Sequence, residues 1–125
     1  MEFDVRLSGG DRVVVTAGTQ EIVTDQDGSA PDPFTLFLAS IGACAGYYVA
    51  RFCRQRGIPT EGIALTQRFE KDQNGRVREI ALELTLPDGF PDAYRGAVLR
   101  AAETCKVKRH LEAPLPVRLH LLTPV

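Results

Sequence analysis

Asp32-Pro33-Phe34-Thr35-Leu36-Phe37-Leu38-Ala39-Ser40-Ile41-Gly42-Ala43-Cys44 opens a run that continues through Ala45-Gly46-Tyr47-Tyr48-Val49-Ala50 to Gly57, and its reading decides the fold. Asp32 has the short acceptor side chain of an N-cap, and Pro33 suits the first helical position, where a missing N–H costs nothing. No further proline interrupts the run before Gly57. That glycine suits the place just past a helix, and Arg51, Arg54 and Arg56 favour the last turns. The expected helix has about 24 residues and is about 36 Å long.

From Phe34 to Ala50 there is no charge. A membrane span needs about 20 predominantly apolar residues. This stretch is shorter, and Thr35, Ser40, Gly42, Gly46, Tyr47 and Tyr48 dilute it. A soluble helix that is apolar all round is expected to be buried on every side. Small residues recur four apart (Ala39 and Ala43, Gly42 and Gly46, Gly46 and Ala50), so another backbone can approach closely. The partner is expected to be a sheet or a symmetry-related copy of the same helix. Each internal glycine costs about 1 kcal/mol against alanine, and packing or function must offset it.

Before the helix, residues 2–8, 12–17 and 20–24 read as strands, with turns at Gly9-Gly10-Asp11 and Gly18-Thr19. Residues 25–32 form a loop rich in Asp, Gly, Ser and Pro. After it, residues 63–70 and 76–86 form a hairpin around Asp72-Gln73-Asn74-Gly75. Its second strand puts Val77, Glu79, Ala81, Glu83 and Thr85 on one face and Ile80, Leu82, Leu84 and Leu86 on the other. Pro91-Asp92 starts a second helix expected to run to about Cys105, with Ala93, Ala97, Val98, Ala101 and Ala102 inward. A short helical stretch over residues 106–112 follows, stopped by Pro114 and Pro116. Residues 117–122 are expected to close the chain as a strand carrying a surface His120. The fold class is α+β, ordered β-β-β-α-β-β-α-β, with antiparallel sheets around a long buried helix.

A chain of 125 residues is expected to be one domain over residues 1–125. The net charge of −1 gives no basic footprint for nucleic acid or an anionic membrane. Met1-Glu2-Phe3-Asp4 opens with acid rather than a basic leader. A cytoplasmic protein is expected, without nucleic-acid or membrane partners.

The three cysteines, Cys44, Cys53 and Cys105, make no C-x-x-C and no secreted disulfide framework. Nine residues separate Cys44 from Cys53, about 900° of helical rotation, so the two thiols point to opposite sides. Cys53 is expected to be a packing residue. Tyr47 and Tyr48 share the Cys44 side at i+3 and i+4. Cys44 and Cys105 can meet if the second helix packs on the first. Cys44, Cys105 and His110 have no zinc-ligand spacing, and no metal or cofactor is expected.

The segment from Asp32 to Cys44 resembles the helix-start motif of the OsmC/Ohr family: Pro, then leucines, then Ala-x-x-x-Ala-Cys. Cys105-Lys106-Val107, followed by Leu111, resembles that family's second motif, Cys-Pro-Val with a leucine further on; Lys106 replaces the usual proline. The resemblance implies an intertwined homodimer with two sites at the subunit interface. It implies a reductase of organic hydroperoxides, in which a Cys44 thiolate attacks the O–O bond and becomes a sulfenic acid. Cys105 then resolves it as a disulfide, and an external thiol reduces that disulfide.

A free thiol of pKa about 8.5 is only a few per cent thiolate at neutral pH, and lowering it by about two units takes about 2.7 kcal/mol. One cation at about 4 Å supplies that at an effective dielectric of about 20. Family peroxidases use an arginine from the N-terminal strands, held by a glutamate just after the helix-start proline. Here Phe34 and Thr35 stand at that place. Arg12 is the candidate arginine, with Arg6 the next. Phe34 makes the mouth of the site more apolar, and with Tyr47 and Tyr48 it is expected to bind substrate.

Two readings stay open. One is the hydroperoxide reductase; the other is a dimer binding a small apolar ligand at its interface without peroxidase turnover. The absent glutamate favours the second, and retention of both cysteines the first. A hot-dog-fold thioesterase also wraps a long helix in sheet. It leaves Cys105 without a role, and no Asp or Glu stands on the helix beyond its cap.

Overall fold

The structure is a computed structural model and describes residues 1–122. The chain forms two compact units, Met1–Ser40 and a second beginning at Ile41. In the first unit, β1 (Asp4–Leu7), β2 (Val13–Ala17) and β3 (Gln20–Thr24) form an antiparallel sheet in that order. The β1–β2 turn is closed by the Ser8 amide donating to the Arg12 carbonyl at 3.0 Å. Gly18, at φ +62°, opens the two-residue turn between the paired Ala17 and Gln20, a conformation that side chains rarely adopt.

Helix α1 (Pro33–Gln55) starts and stops where its end signals place it. The Thr35 amide donates to the Asp32 carboxylate at 2.7 Å, which holds that acid below the usual carboxylate range. At the far end Gly57 takes φ +65°. The Ile58 amide then reaches back to the Cys53 carbonyl at 2.9 Å, and the Gly57 amide to that of Arg54 at 3.3 Å. These two bonds satisfy carbonyls that the helix leaves without partners.

In the second unit, β4 (Ala64–Lys71) and β5 (Val77–Thr85) form an antiparallel hairpin. Asp72 builds its turn by accepting from the amides of Asn74 at 2.8 Å and Arg76 at 3.0 Å, with Gly75 at φ +80°. The alternation of β5 is observed: Ile80, Leu82 and Leu84 are partly buried, while Glu79, Ala81 and Glu83 are exposed. A 3-10 turn (Asp92–Tyr94) leads into α2 (Arg95–Glu103), and α3 (Lys106–His110) follows. Val49, Phe52, Cys53, Phe90 and Val98 form the core, with Leu65, Leu84 and Leu86 of the hairpin side packed on it. The small residues of α1 admit that sheet: a Cβ at Gly42 would collide with Gln67 Oε1, and one at Gly46 would meet Leu65 Cδ1 at 3.6 Å.

Four expectations are corrected. Within one chain α1 is not buried on every side: its buried residues are Ile41, Ala45, Val49, Phe52 and Cys53, a single stripe. By length and mean hydropathy α1 would also pass for a membrane span; its buried stripe faces core side chains. Ala93 is exposed, because it falls in the 3-10 turn before α2. Cys105 does not end α2, which stops at Glu103; it is the N-cap of α3. Residues 117–122 form no strand among the described residues, and Val117, Leu119, Leu121 and Leu122 are between 88% and 99% exposed. Alternation marks a segment able to pair, but a ladder needs an edge, and none meets it among the described residues.

Val98 is fully buried and its methyls touch the core from α2. Val98→Ala should cost about 2 kcal/mol in urea unfolding, from lost burial plus the cavity left behind. A loss below about 0.5 kcal/mol, the level of a surface substitution, would remove Val98 from the core.

Candidate active site

Two elements of the second unit converge on a pair of sulfur atoms. Cys44 comes from α1, one turn after the buried Ile41. Cys105 comes from the break between α2 and α3, and is only 1% exposed. Both thiols are free. The two thiols act on each other electrostatically across 61 positions of sequence, Cys105 favouring a Cys44 thiolate. The Cys105 thiol also lies 3.9 Å from the Ile41 carbonyl, and its sulfur accepts from the Lys108 amide at 3.4 Å. Cys105 is therefore tied to α1 on one side and caps α3 on the other.

The two thiols are pushed in opposite directions. Burial raises Cys44, but hydrogen bonds from the Val107 amide, the Cys105 thiol and the Lys106 amide, together with the Arg109 guanidinium, outweigh it. The Cys44 thiol therefore ionises below its ordinary value. Burial also raises Cys105; its bond to Cys44 and the negative charge there raise it further, against the Lys108 and Val107 amides. Cys44 is thus the thiol that becomes the anion, and Cys105 keeps its proton. Cys53 sits in the core, where burial raises it against the weaker pull of Arg56.

The remaining candidates make contacts of their own. Arg12, at the end of the β1–β2 turn in the first unit, stands 3.9 Å from the buried Asp25 carboxylate. Arg6 pairs with Glu21 at 3.4 Å in the same unit. Phe34, also there, is 55% exposed and stacks on Phe37 with ring centres 5.9 Å apart. Tyr47 is exposed and meets Tyr48 edge to face at 5.2 Å on the Cys44 side of α1. His110 turns its Nδ1 onto the Lys106 carbonyl at 2.7 Å. Sequence reasoning missed α3 as the element that serves Cys44. Its signal was the basic run Lys106-Val107-Lys108-Arg109-His110, unreadable while Cys105 was placed inside the preceding helix.

Beside the pair a cleft of about 450 Å³ opens between β5, α2 and α3, with Cys105, Ile41, Leu82, Leu99 and Leu111 among its walls. Arg78, Glu79, Glu103 and Lys108 are its charged lining residues. Cys105 belongs to its lining and Cys44 does not.

Residues 26–120 match the family model described as OsmC-like protein. No curated protein matches the chain by sequence. Solved structures do match by fold. A Psychrobacter arcticus 273-4 protein, provisionally described as osmotic stress induced and detoxification responsive, superposes with a TM-score of 0.70 at 20% identity, covering 86% of this chain and 85% of that one. The OsmC like protein from Mycoplasma pneumoniae gives 0.68 at 12% identity over 89% and 86%. An organic hydroperoxide resistance protein OsmC from Legionella pneumophila, described also as a predicted redox protein, gives 0.54 at 18% over 89% of both chains.

The thiol chemistry has a direct readout. Alkylation of Cys44 by iodoacetamide, followed by peptide mapping, should have its pH midpoint below that of a free thiol. The reactive form is present above that midpoint and lost as pH falls through it. Cys53 should resist at every pH that keeps the protein folded. Equal profiles for the two would contradict the electrostatics described.

Proposed function

Since the chain belongs to the OsmC-like protein family, we propose that it is a thiol-dependent reductase of organic hydroperoxides. The observation that carries this is a pair of free thiols that act on each other, one drawn toward the thiolate and the other toward its protonated form. The organic hydroperoxide resistance described for the Legionella pneumophila structural relative agrees with it.

In the first step the Cys44 thiolate attacks one oxygen of the O–O bond. That bond breaks, the alkoxide takes a proton and leaves as alcohol, and Cys44 becomes a sulfenic acid. The Cys105 sulfur then attacks the Cys44 sulfur. An S–S bond forms, and the sulfenic oxygen leaves as water with the Cys105 proton. Two electrons have passed from the thiol pair to the peroxide. An external thiol returns them by exchange through a mixed disulfide, itself ending as a disulfide. Tyr47 and Tyr48 would give the substrate's organic part apolar company. No cofactor enters the cycle.

The working form is read as a homodimer in the cytoplasm, where a thiol reductant is at hand. Its support is the apolar surface that one chain leaves open: Phe37 and Tyr47 on α1, and Val117, Leu119 and Leu121 in the terminal segment. Burying such side chains is worth about 1.5–3 kcal/mol each, enough to favour a second copy.

The cleft beside Cys105 favours a second reading, a small apolar ligand held without turnover. One titration separates the two. Dithiol protein treated with cumene hydroperoxide should lose two free thiols per chain and release cumyl alcohol. Cys44→Ser should abolish both, and Cys105→Ser should stop at a dimedone-reactive sulfenic acid. Unchanged thiols together with saturable binding of an apolar fluorophore would leave the binding reading and remove the reductase.

A further inference from the structure

We propose that the cleft between β5, α2 and α3 is the port through which the external thiol enters, and that this thiol attacks the sulfur of Cys105, not that of Cys44. The assignment rests on the reductase reading for the Cys44–Cys105 disulfide that the thiol opens.

Placement carries it. Cys105 lines the cleft and Cys44 does not, so a molecule seated there meets one sulfur of the pair. At about 450 Å³ the cleft falls within the range of about 300–1,000 Å³ usual for small-molecule sites. Cys105 is 1% exposed, so the cleft is its approach; Cys44 is partly exposed, and not to this cleft. Leu99 and Leu111 stand in the walls, 49% and 52% exposed. Half-exposed side chains of this kind change rotamer freely and can turn aside for an entering group.

The Cys105 sulfur is also fixed against that wall. It lies 3.9 Å from the Ile41 carbonyl and accepts from the Lys108 amide at 3.4 Å, and Ile41 and Lys108 line the cleft themselves. The amide favours negative charge on the sulfur. Such charge develops when Cys105 is attacked, and again when it leaves.

Exchange chemistry points the same way. The sulfur whose thiol ionises more readily leaves a disulfide faster. Cys44 ionises below its ordinary value and Cys105 above it. Attack on Cys105 therefore expels the better leaving group. The first external thiol gives its proton to water and enters as thiolate. Its sulfur bonds to Cys105, the Cys44–Cys105 bond breaks, and the electron pair departs on Cys44 as thiolate. A second external thiol then attacks the first one's sulfur. The two leave joined as a disulfide, and Cys105 takes the second thiol's proton. Two external thiols have been oxidised and the cysteine pair reduced.

The test uses full-length protein oxidised to the Cys44–Cys105 disulfide with diamide, so that no peroxide is needed. Neutral thiols are the probes, because the lining carries both signs, Lys108 and Glu103. Mercaptoethanol is added, the reaction is stopped at short times with N-ethylmaleimide, and peptides are mapped without reduction. Mercaptoethanol should be found on Cys105 and maleimide on Cys44. Leu99→Trp narrows the cleft at a half-exposed wall. It should slow reduction by naphthalenethiol about three- to tenfold more than reduction by mercaptoethanol, because a displaced nucleophile loses its alignment. Leu99→Ala should open no such gap. Adduct mainly on Cys44 would overturn the proposal, and so would a Leu99→Trp variant that treats both thiols as the parent does. Failure of the reductase reading looks different: cumene hydroperoxide leaves both thiols free, while the disulfide made by diamide still takes its adduct on Cys105. A chain in which diamide does not link the pair would remove both.

Discussion

The structure turns on one contact, Cys105 held between α1 and α3, its thiol 3.9 Å from the Ile41 carbonyl and its sulfur accepting from the Lys108 amide at 3.4 Å. A thiol on an apolar helix is by default a poor nucleophile, since burial favours its neutral form. Here that penalty is outweighed by the Val107 and Lys106 amides, the Cys105 thiol and the Arg109 guanidinium, which together lower the Cys44 thiol. The arrangement depends on α2 stopping at Glu103. Had it continued, the amides of Lys106 and Val107 would have been spent on carbonyls one turn back. The break frees them, and Cys105 caps the new start at Lys108.

The rest of the second unit holds that contact in place. Cys44 is positioned because α1 buries a stripe of five residues against the core, and the core is completed by Phe90 and Val98 from the other side. Gly42 and Gly46 let β4 approach α1 where larger residues would hold it off. Their cost to the helix is therefore offset by packing on either side of Cys44. Cys53 shows what the same side chain becomes without donors: a buried apolar filler with its thiol raised.

Much of this was legible from residues alone, for local reasons. Asp32, Pro33 and Gly57 mark the ends of α1 through interactions within a turn of themselves. Asp72 and Gly75 likewise build the hairpin from neighbours. The three N-terminal strands followed from glycine turns and runs of valine. What was not legible depends on distant partners. The Cys105 thiol lies 3.9 Å from the carbonyl of Ile41, 64 positions away, and no local signal marks that approach. The alternating residues 117–122 have strand character but pair with no strand among the described residues, and Phe37 and Tyr47 on α1 are exposed. Cys44 and Cys105 were singled out as a pair by resemblance; no spacing rule would have joined them. The pull of Arg109 on Cys44 went unnoticed because it depends on where α3 begins.

The central claim is that these two sulfur atoms, and no others, form a unit of reaction. Peptide mapping of protein oxidised by one equivalent of an organic hydroperoxide under non-reducing conditions tests it most directly. The account predicts a single linked peptide pair joining Cys44 to Cys105 within one chain, with Cys53 recovered as free thiol. A linkage through Cys53, a disulfide between chains, or an oxidised Cys44 beside an untouched Cys105 would contradict it.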